Sequence, residues 1–368
     1  MRHLNAICML LTLVCLGSVA SGQIVIPPDV LKKKAESDEK VRPKRPTSRK
    51  STTRPSGAKP GFQRMVIDFR RAAGDPVKRK AAADKLLKLG PRGAKILYSI
   101  VRSDLSGRTT SYKKAFYSKA RSIGRGKYRA AGESQIKKWR EQFRSTGSIT
   151  KGSLKSKAGP AMDALLGALV PKREELLEDS DSLTSMRQEI LALDSVLTRC
   201  AAVLKLESAD SKLSDKLKQQ ETLLSLMGAP MSDAHRKTVE EPLKQFGKMQ
   251  FEEWHGVVHL NVIRTLLGLS PMQIDLKLSA AGRDHSKDMS EHKFFSHKSP
   301  VEGKSTPWDR AARQGTKSNG ECIAAGVSSG PHAIRMWFFS PGHHKIIMSG
   351  ASRVGLGTHN RKWTLMTG

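Results

Sequence analysis

The chain has 368 residues, enough for two or three compact units, and a formal net charge of +31. The charge is concentrated, because residues 32–160 hold 37 Lys/Arg against 9 Asp/Glu and the rest of the chain is close to neutral. Clustered cations attract polyanions by releasing counterions, but no base-reading motif accompanies them, which argues against a sequence-specific nucleic-acid binder.

In chain order, residues 1–22 are expected to be a secretory signal peptide. Arg2 and His3 precede an apolar run from Ile7 to Leu16, and Ser18-Val19-Ala20 or Ala20-Ser21-Gly22 suits signal peptidase. The run is shorter than the roughly twenty apolar residues of a membrane span. Leu13-Val14-Cys15 lacks the small residue that precedes an acylated cysteine, which argues against a lipoprotein. The expected location is therefore secreted or periplasmic. Cys8 and Cys15 leave with the signal, so Cys200 and Cys322 remain. Two cysteines in separate regions make no disulfide framework and read as free, part-buried thiols.

Residues 23–60 read as a disordered basic linker, punctuated by Pro27, Pro28, Pro43, Pro46, Pro55 and Pro60. Residues 61–160 read as a basic helical region. A helix through Ala81–Leu89 ends at Gly90, and Pro91 opens another, the pattern of a single HEAT-like helical hairpin. From Ser103 to Lys157 the sequence is strongly basic, with Gly107, Gly124, Gly126 and Gly132 as expected interruptions. Tyr112, Phe116, Tyr117, Tyr128, Trp139 and Phe143 among the cations could stack on bases but read better as the apolar sides of short helices.

Residues 161–250 form an expected amphipathic, coiled-coil-like region. Leu176, Leu183, Ile190, Leu197 and Leu204 recur every seven residues, with Met186, Leu193 and Cys200 in the second seam position. This predicts one long helix, or a pair broken near Ser208–Ser211, suited to bundle packing or helix-mediated self-association. Gly228-Ala229-Pro230 ends it.

From residue 251 the pattern becomes a compact α/β unit. Val257, Val258, Leu260, Ile263, Leu266 and Leu267 line a helix closed by Gly268, and a second helix follows Asp275. Val354 and Leu356, then Trp363 and Leu365, alternate about a polar turn from Thr358 to Lys362, which predicts a β-hairpin. The ordered motifs Leu260-Asn261-x-x-Arg264, Gly268-Leu269-x-Pro271, His285-Ser286-x-Asp288-Met289, Phe295-Ser296-His297, Gly320-Glu321-x-Ile323-Ala324 and Trp337-x-x-Ser340-Pro341-Gly342-His343 resemble the CAP superfamily. That is the SCP-like domain of cysteine-rich secretory proteins, antigen 5 and PR-1, here in a cysteine-poor bacterial form over about residues 252–368. The expected fold class is α+β: a C-terminal α-β-α sandwich preceded by helical regions and the linker.

Carried over by position, the resemblance implies a cleft built on His297, Glu321 and His343. Ser340 reads as an N-cap and Pro341 as the first helical residue, which puts His343 in a first turn that disfavours imidazolium. Neutral His297 and His343 could bind a divalent metal such as zinc or act as an acid–base pair with Glu321. The sequence departs from the family at three places. Phe338, Phe339 and Ser340 supply no second glutamate, Cys322 replaces an asparagine, and Ile346 stands where asparagine is common. The missing acid favours binding over catalysis, and Cys322 reads as a buried small residue. His285 is expected at the border of the cleft and His292 in solvent, while His259 and His344 receive no role.

Three functions follow. The first is a secreted module that holds a lipid, peptide or cell-wall ligand in the cleft while the cationic arm grips anionic polymers or lipids. The second is a hydrolase using His297, Glu321 and His343. The third is an anionic-polymer or nucleic-acid binder with a passive C-terminal domain.

Overall fold

The structure, a computed structural model, describes residues 60–147, 151–206, 213–241 and 247–368. The expected signal peptide, nearly all of the basic linker and the break at Ser208–Ser211 lie outside the described residues. No helix among the described residues is long and apolar enough to cross a membrane.

Helices α1 (Pro60–Arg71) and α2 (Pro76–Leu87) are separated by Gly74, at φ +94°, and by Asp75, whose carboxylate caps α2 by accepting from the Lys78 amide at 3.0 Å. Pro91 opens α3 (Pro91–Ala131), as expected. Three of the expected interruptions do not occur. Helix α3 runs for 41 residues through Gly107, Gly124 and Gly126 and stops only at Gly132. Helices α4 (Glu133–Gly147) and α5 (Lys151–Leu169) follow.

The heptad stripe folds as three helices, α6 (Arg173–Glu178), α7 (Asp181–Val203) and α8 (Leu213–Leu226). The additional break falls at Asp179–Ser180, where the Ser180 hydroxyl caps α7 by accepting from the Leu183 amide. Leu183 and Ile190 pack with Tyr112, Phe116 and Ala120 of α3, while Leu193 and Cys200 pack with Leu97 and Val101. Val196, rather than Leu197, is fully buried near the end of the stripe. A straight α-helix drifts ahead of a strict heptad, so the buried position slips back by one residue. The stripe is thus occupied within the chain.

A buried carboxylate fastens this bundle. Glu221 of α8 accepts from Tyr112 Oη at 2.7 Å, Arg173 Nε at 2.7 Å and Arg187 Nε at 2.8 Å. Those donors come from α3, α6 and α7, so one charge satisfies the burial rule and fixes four helices together. Gly124 has a separate purpose, since a Cβ there would lie 1.9 Å from the Gly228 carbonyl oxygen just beyond α8.

After α9 (Asp233–Glu240), the C-terminal unit contains α10 (Phe251–Leu266), β1 (Gln273–Ile274), α11 (Leu276–Glu291), α12 (Pro307–Arg313), β2 (Gly320–Ala325), α13 (Gly330–Phe338), α14 (Pro341–Ile347), β3 (Arg353–His359) and β4 (Lys362–Thr367). The sheet order is β1-β3-β4-β2, with β1 parallel to β3 and the other pairs antiparallel. The expected hairpin is present. Its turn is tighter than read, because His359 pairs with Lys362 and leaves Asn360 and Arg361 at φ +46° and +60°.

Period-two alternation in β3 builds the three layers. Leu356 faces α10, where it comes against Gly256. Gly355 and Gly357 face α11, and a Cβ on either would lie 2.2 and 2.0 Å from the Ser279 and Arg283 amides. The expected α-β-α sandwich follows. Two motif residues brace it. Asn261 exchanges hydrogen bonds with the Met272 backbone at 2.8 and 2.9 Å, and Arg264 donates to the carbonyls of Ser270, Ile347 and Ser349.

Gly124→Val should destabilise the chain by about 1–3 kcal/mol, as overpacking does, read as a lower urea midpoint. Gly126→Ala, where a Cβ meets open space, should be neutral or slightly stabilising.

Candidate functional site

Three different elements carry the predicted residues. His297 lies on the loop between α11 and α12, Glu321 on β2 and His343 in the first turn of α14. The loop begins where Lys293, at φ +55°, leaves α11. It re-enters helix at a capping box in which Thr306 and Asp309 bond each other's backbone amides at 3.2 and 2.9 Å. Strand β2 is tied to α13 by Trp337 Nε1, which donates to the Ile323 carbonyl at 3.0 Å.

The structure brings His297 and Glu321 together. Glu321 Oε1 accepts from His297 Nδ1 at 2.8 Å, and Oε2 accepts from Arg310 Nη2 at 2.5 Å. The Glu321 side chain is buried, whereas His297 is half exposed. A proton on Nδ1, held by the carboxylate, leaves Nε2 as the accepting nitrogen of the ring. Arg310 also donates to the Lys304 carbonyl at 2.9 Å and to the His297 carbonyl at 3.1 Å. The guanidinium therefore balances the charge of Glu321 and holds the backbone of the residue that Glu321 orients.

His343 stands apart from that pair, with no hydrogen bond to Glu321. Its Nδ1 lies 2.9 Å from Ser340 Oγ. Ser340 occupies the N-cap position but makes no side-chain cap bond, so its hydroxyl serves the imidazole and not the helix amides. Burial lowers the pKa of His343 below the ordinary imidazole value, and the nearby His297 lowers it further. The first-turn argument thus gives the right direction with burial as the main cause.

For a divalent metal the donor set falls short. Both oxygens of Glu321 are taken, one of them by a cation, leaving two imidazole nitrogens where zinc sites use three or four protein ligands. Among the described residues no group of three His, Cys, Asp or Glu side chains is arranged to hold a metal ion. Cys322 is fully buried, and burial, followed by the charge of Glu321, pushes its thiol pKa far up. Its Sγ lies 3.9 Å from the His343 carbonyl oxygen. A thiol in that state is no nucleophile.

His285 is buried behind the cleft, where Nε2 is 3.1 Å from the Ser296 carbonyl oxygen and 4.0 Å from Glu321 Oε1. His292 is exposed, as expected. His344 Nδ1 lies 2.7 Å from the Phe338 carbonyl oxygen. Arg310 belongs to the site without any sequence signature of its own. The nearest signal is the Thr306-Pro307-x-Asp309 helix start, which places Arg310 in the first turn of α12.

Replacing Arg310 by Met strands the buried Glu321 charge and should cost about 3–5 kcal/mol, with Glu321→Gln, R310M/E321Q recovering part of the loss in a thermal melt. Four histidines, His259, His285, His343 and His344, have pKa values lowered mainly by burial, His259 to about 4. The unfolded chain therefore takes up protons that the folded chain refuses. Their contribution to stability is complete above pH 6.5 and is lost as the pH falls, for His259 through about 4. Urea midpoints measured from pH 7 to 4 should decline less steeply in His259→Gln than in the parent.

The family model described as "Cysteine-rich secretory protein family", CAP, matches residues 258–363. An uncharacterized protein of Bacillus subtilis strain 168, YkwD, is 36% identical over 100 residues, 26% of this chain and 38% of that protein. An uncharacterized membrane protein of the same organism, YlbC, is 31% identical over 105 residues, 28% of this chain and 30% of that protein. The chain thus spans well under half the length of these curated relatives. A crystal structure of an extracellular SCP-domain protein from Bacillus anthracis strain Ames is 28% identical, with a TM-score of 0.30, covering 40% of this chain and 49% of that one. With the motif order, the sandwich and the matched range in agreement, the C-terminal domain of this chain is a member of the CAP family.

Proposed function

We propose that the chain is a secreted binding module whose CAP-domain cleft holds a lipid, peptide or cell-wall-derived ligand, while the cationic segment 23–160 attaches it to anionic polymers or lipid surfaces. The observation that carries this reading is the commitment of Glu321. Its oxygens bond His297 and Arg310, so it orients an imidazole and has no free oxygen to act as a base. The half-exposed His297 ring and the neutral His343 ring then offer hydrogen-bonding edges to a polar group, with no activated nucleophile among the candidates. The charge of residues 32–160 supplies long-range, salt-sensitive adhesion separate from the cleft.

One feature favours a second reading, hydrolysis. A carboxylate-held imidazole with an accepting Nε2 is the arrangement that lets histidine remove a proton from water. The missing second carboxylate weighs against it.

Ring signals of labelled His297 and His343 would be followed while lysophospholipid, short peptides and soluble cell-wall glycopeptides are titrated separately into the full chain. One of these classes should shift both rings, with affinity lowered about tenfold or more in His297→Ala. If none shifts either ring, the cleft reading fails. Turnover of any ester or peptide that is lost in both His297→Ala and His343→Ala would instead support the hydrolase.

A further inference from the structure

A second concavity lies where the helical region meets the CAP domain. It has a volume of about 360 Å³, and its walls come from the end of α5, the start of α6, one face of α8, and His255 and His259 of α10. None of His297, Glu321, Arg310 or His343 lines it. Its volume falls in the range of small-molecule sites.

The lining divides into two kinds of surface. Leu166, Val170 and Leu226 form an apolar floor. At the rim stand Lys172 and Lys218, both exposed, and neither makes an ion pair among the described residues. The other charged rim residues already have partners. Arg173 bonds Glu221 at 2.7 Å and Glu174 at 3.3 Å. Positive charge is therefore left over beside an apolar hollow. The wall contributed by α10 agrees with this. His259 is held neutral to about pH 4 by burial, with the positive charges of His255 and Arg335 acting in the same direction.

We propose that this pocket binds a small amphipathic carboxylate, a medium-chain acyl anion, whose alkyl part lies on Leu166, Val170 and Leu226 and whose carboxylate sits between Lys172 and Lys218. Two flexible ammonium groups suit a compact anionic head, and the apolar floor suits a short unbranched tail. Because the pocket has one wall in the CAP domain and the others in the helical region, an occupant touches both and stabilises their packing.

The test is calorimetric titration and thermal melting of the full chain with octanoate, with octanol as a tail lacking charge and acetate as a head lacking a tail. Octanoate should bind saturably and raise the melting temperature, and octanol and acetate should each bind about tenfold more weakly or worse. The double variant K172E/K218E should lose about tenfold or more in octanoate affinity. Both lysines are exposed, so this variant is expected to fold, as an unchanged ligand-free melt would confirm. Thr222→Trp, which fills the pocket from α8, should block octanoate independently of charge. His297→Ala should bind octanoate as the parent does, which separates this pocket from the cleft. Absence of saturable octanoate binding overturns the proposal, as does equal affinity in K172E/K218E or loss of binding in His297→Ala.

Discussion

The geometry of the cleft depends on how a single buried carboxylate is partnered. Glu321 is held on β2 with its side chain out of solvent, where an unpaired charge would be strongly unfavourable. Arg310 supplies the opposite charge, and the same guanidinium grips the carbonyls of Lys304 and His297. Electroneutrality and loop shape are therefore one constraint. His297 cannot reorient without disturbing the ion pair, and the ion pair cannot dissolve without releasing the loop. Buried pairs of this kind contribute little net stability because both ions are desolvated, so the gain lies in the fixed position of an imidazole.

The helical region uses the same device for a different end. Glu221 collects donors from three helices and holds a bundle, whereas Glu321 collects donors from two sides of a cleft and aims a ring. The difference is exposure. Every partner of Glu221 is buried or mostly so, while His297 reaches solvent. Close backbone approach completes both halves, at Gly124 against Gly228 and at Gly355 and Gly357 under α11.

Much of this was legible in the sequence where a residue's partner is local. The caps at Asp75 and Asp275, the helix stop at Gly90 and the alternation of Val354, Leu356, Trp363 and Leu365 depend on neighbours within a few positions. The motif order located His297 and Glu321. Features set by distant contacts were not legible. Helix α3 passes through three glycines because packing against α7 outweighs their roughly 1 kcal/mol propensity cost. The slip from Leu197 to Val196 reflects the partner helix, which a heptad count does not contain. Arg310 is an ordinary arginine in a short helix until the fold places Glu321 beside it. Ser340 looked like a cap by position, yet its hydroxyl is turned to a histidine.

The apolar core does not respect the family boundary. The matched segment starts at residue 258, inside α10, yet one continuous core joins Trp254, Ile334, Phe338 and Trp363 to Ile136, Phe143, Leu165 and Leu223 of the helical region. Phe143 meets Phe338 edge to face at 5.5 Å, directly behind the helix that bears His343. In this chain the CAP domain is consequently no portable cassette. Recombination that moved it alone would carry away the motifs and leave behind part of the interior against which they are set, so helical region and domain are bound to be inherited and to diverge together.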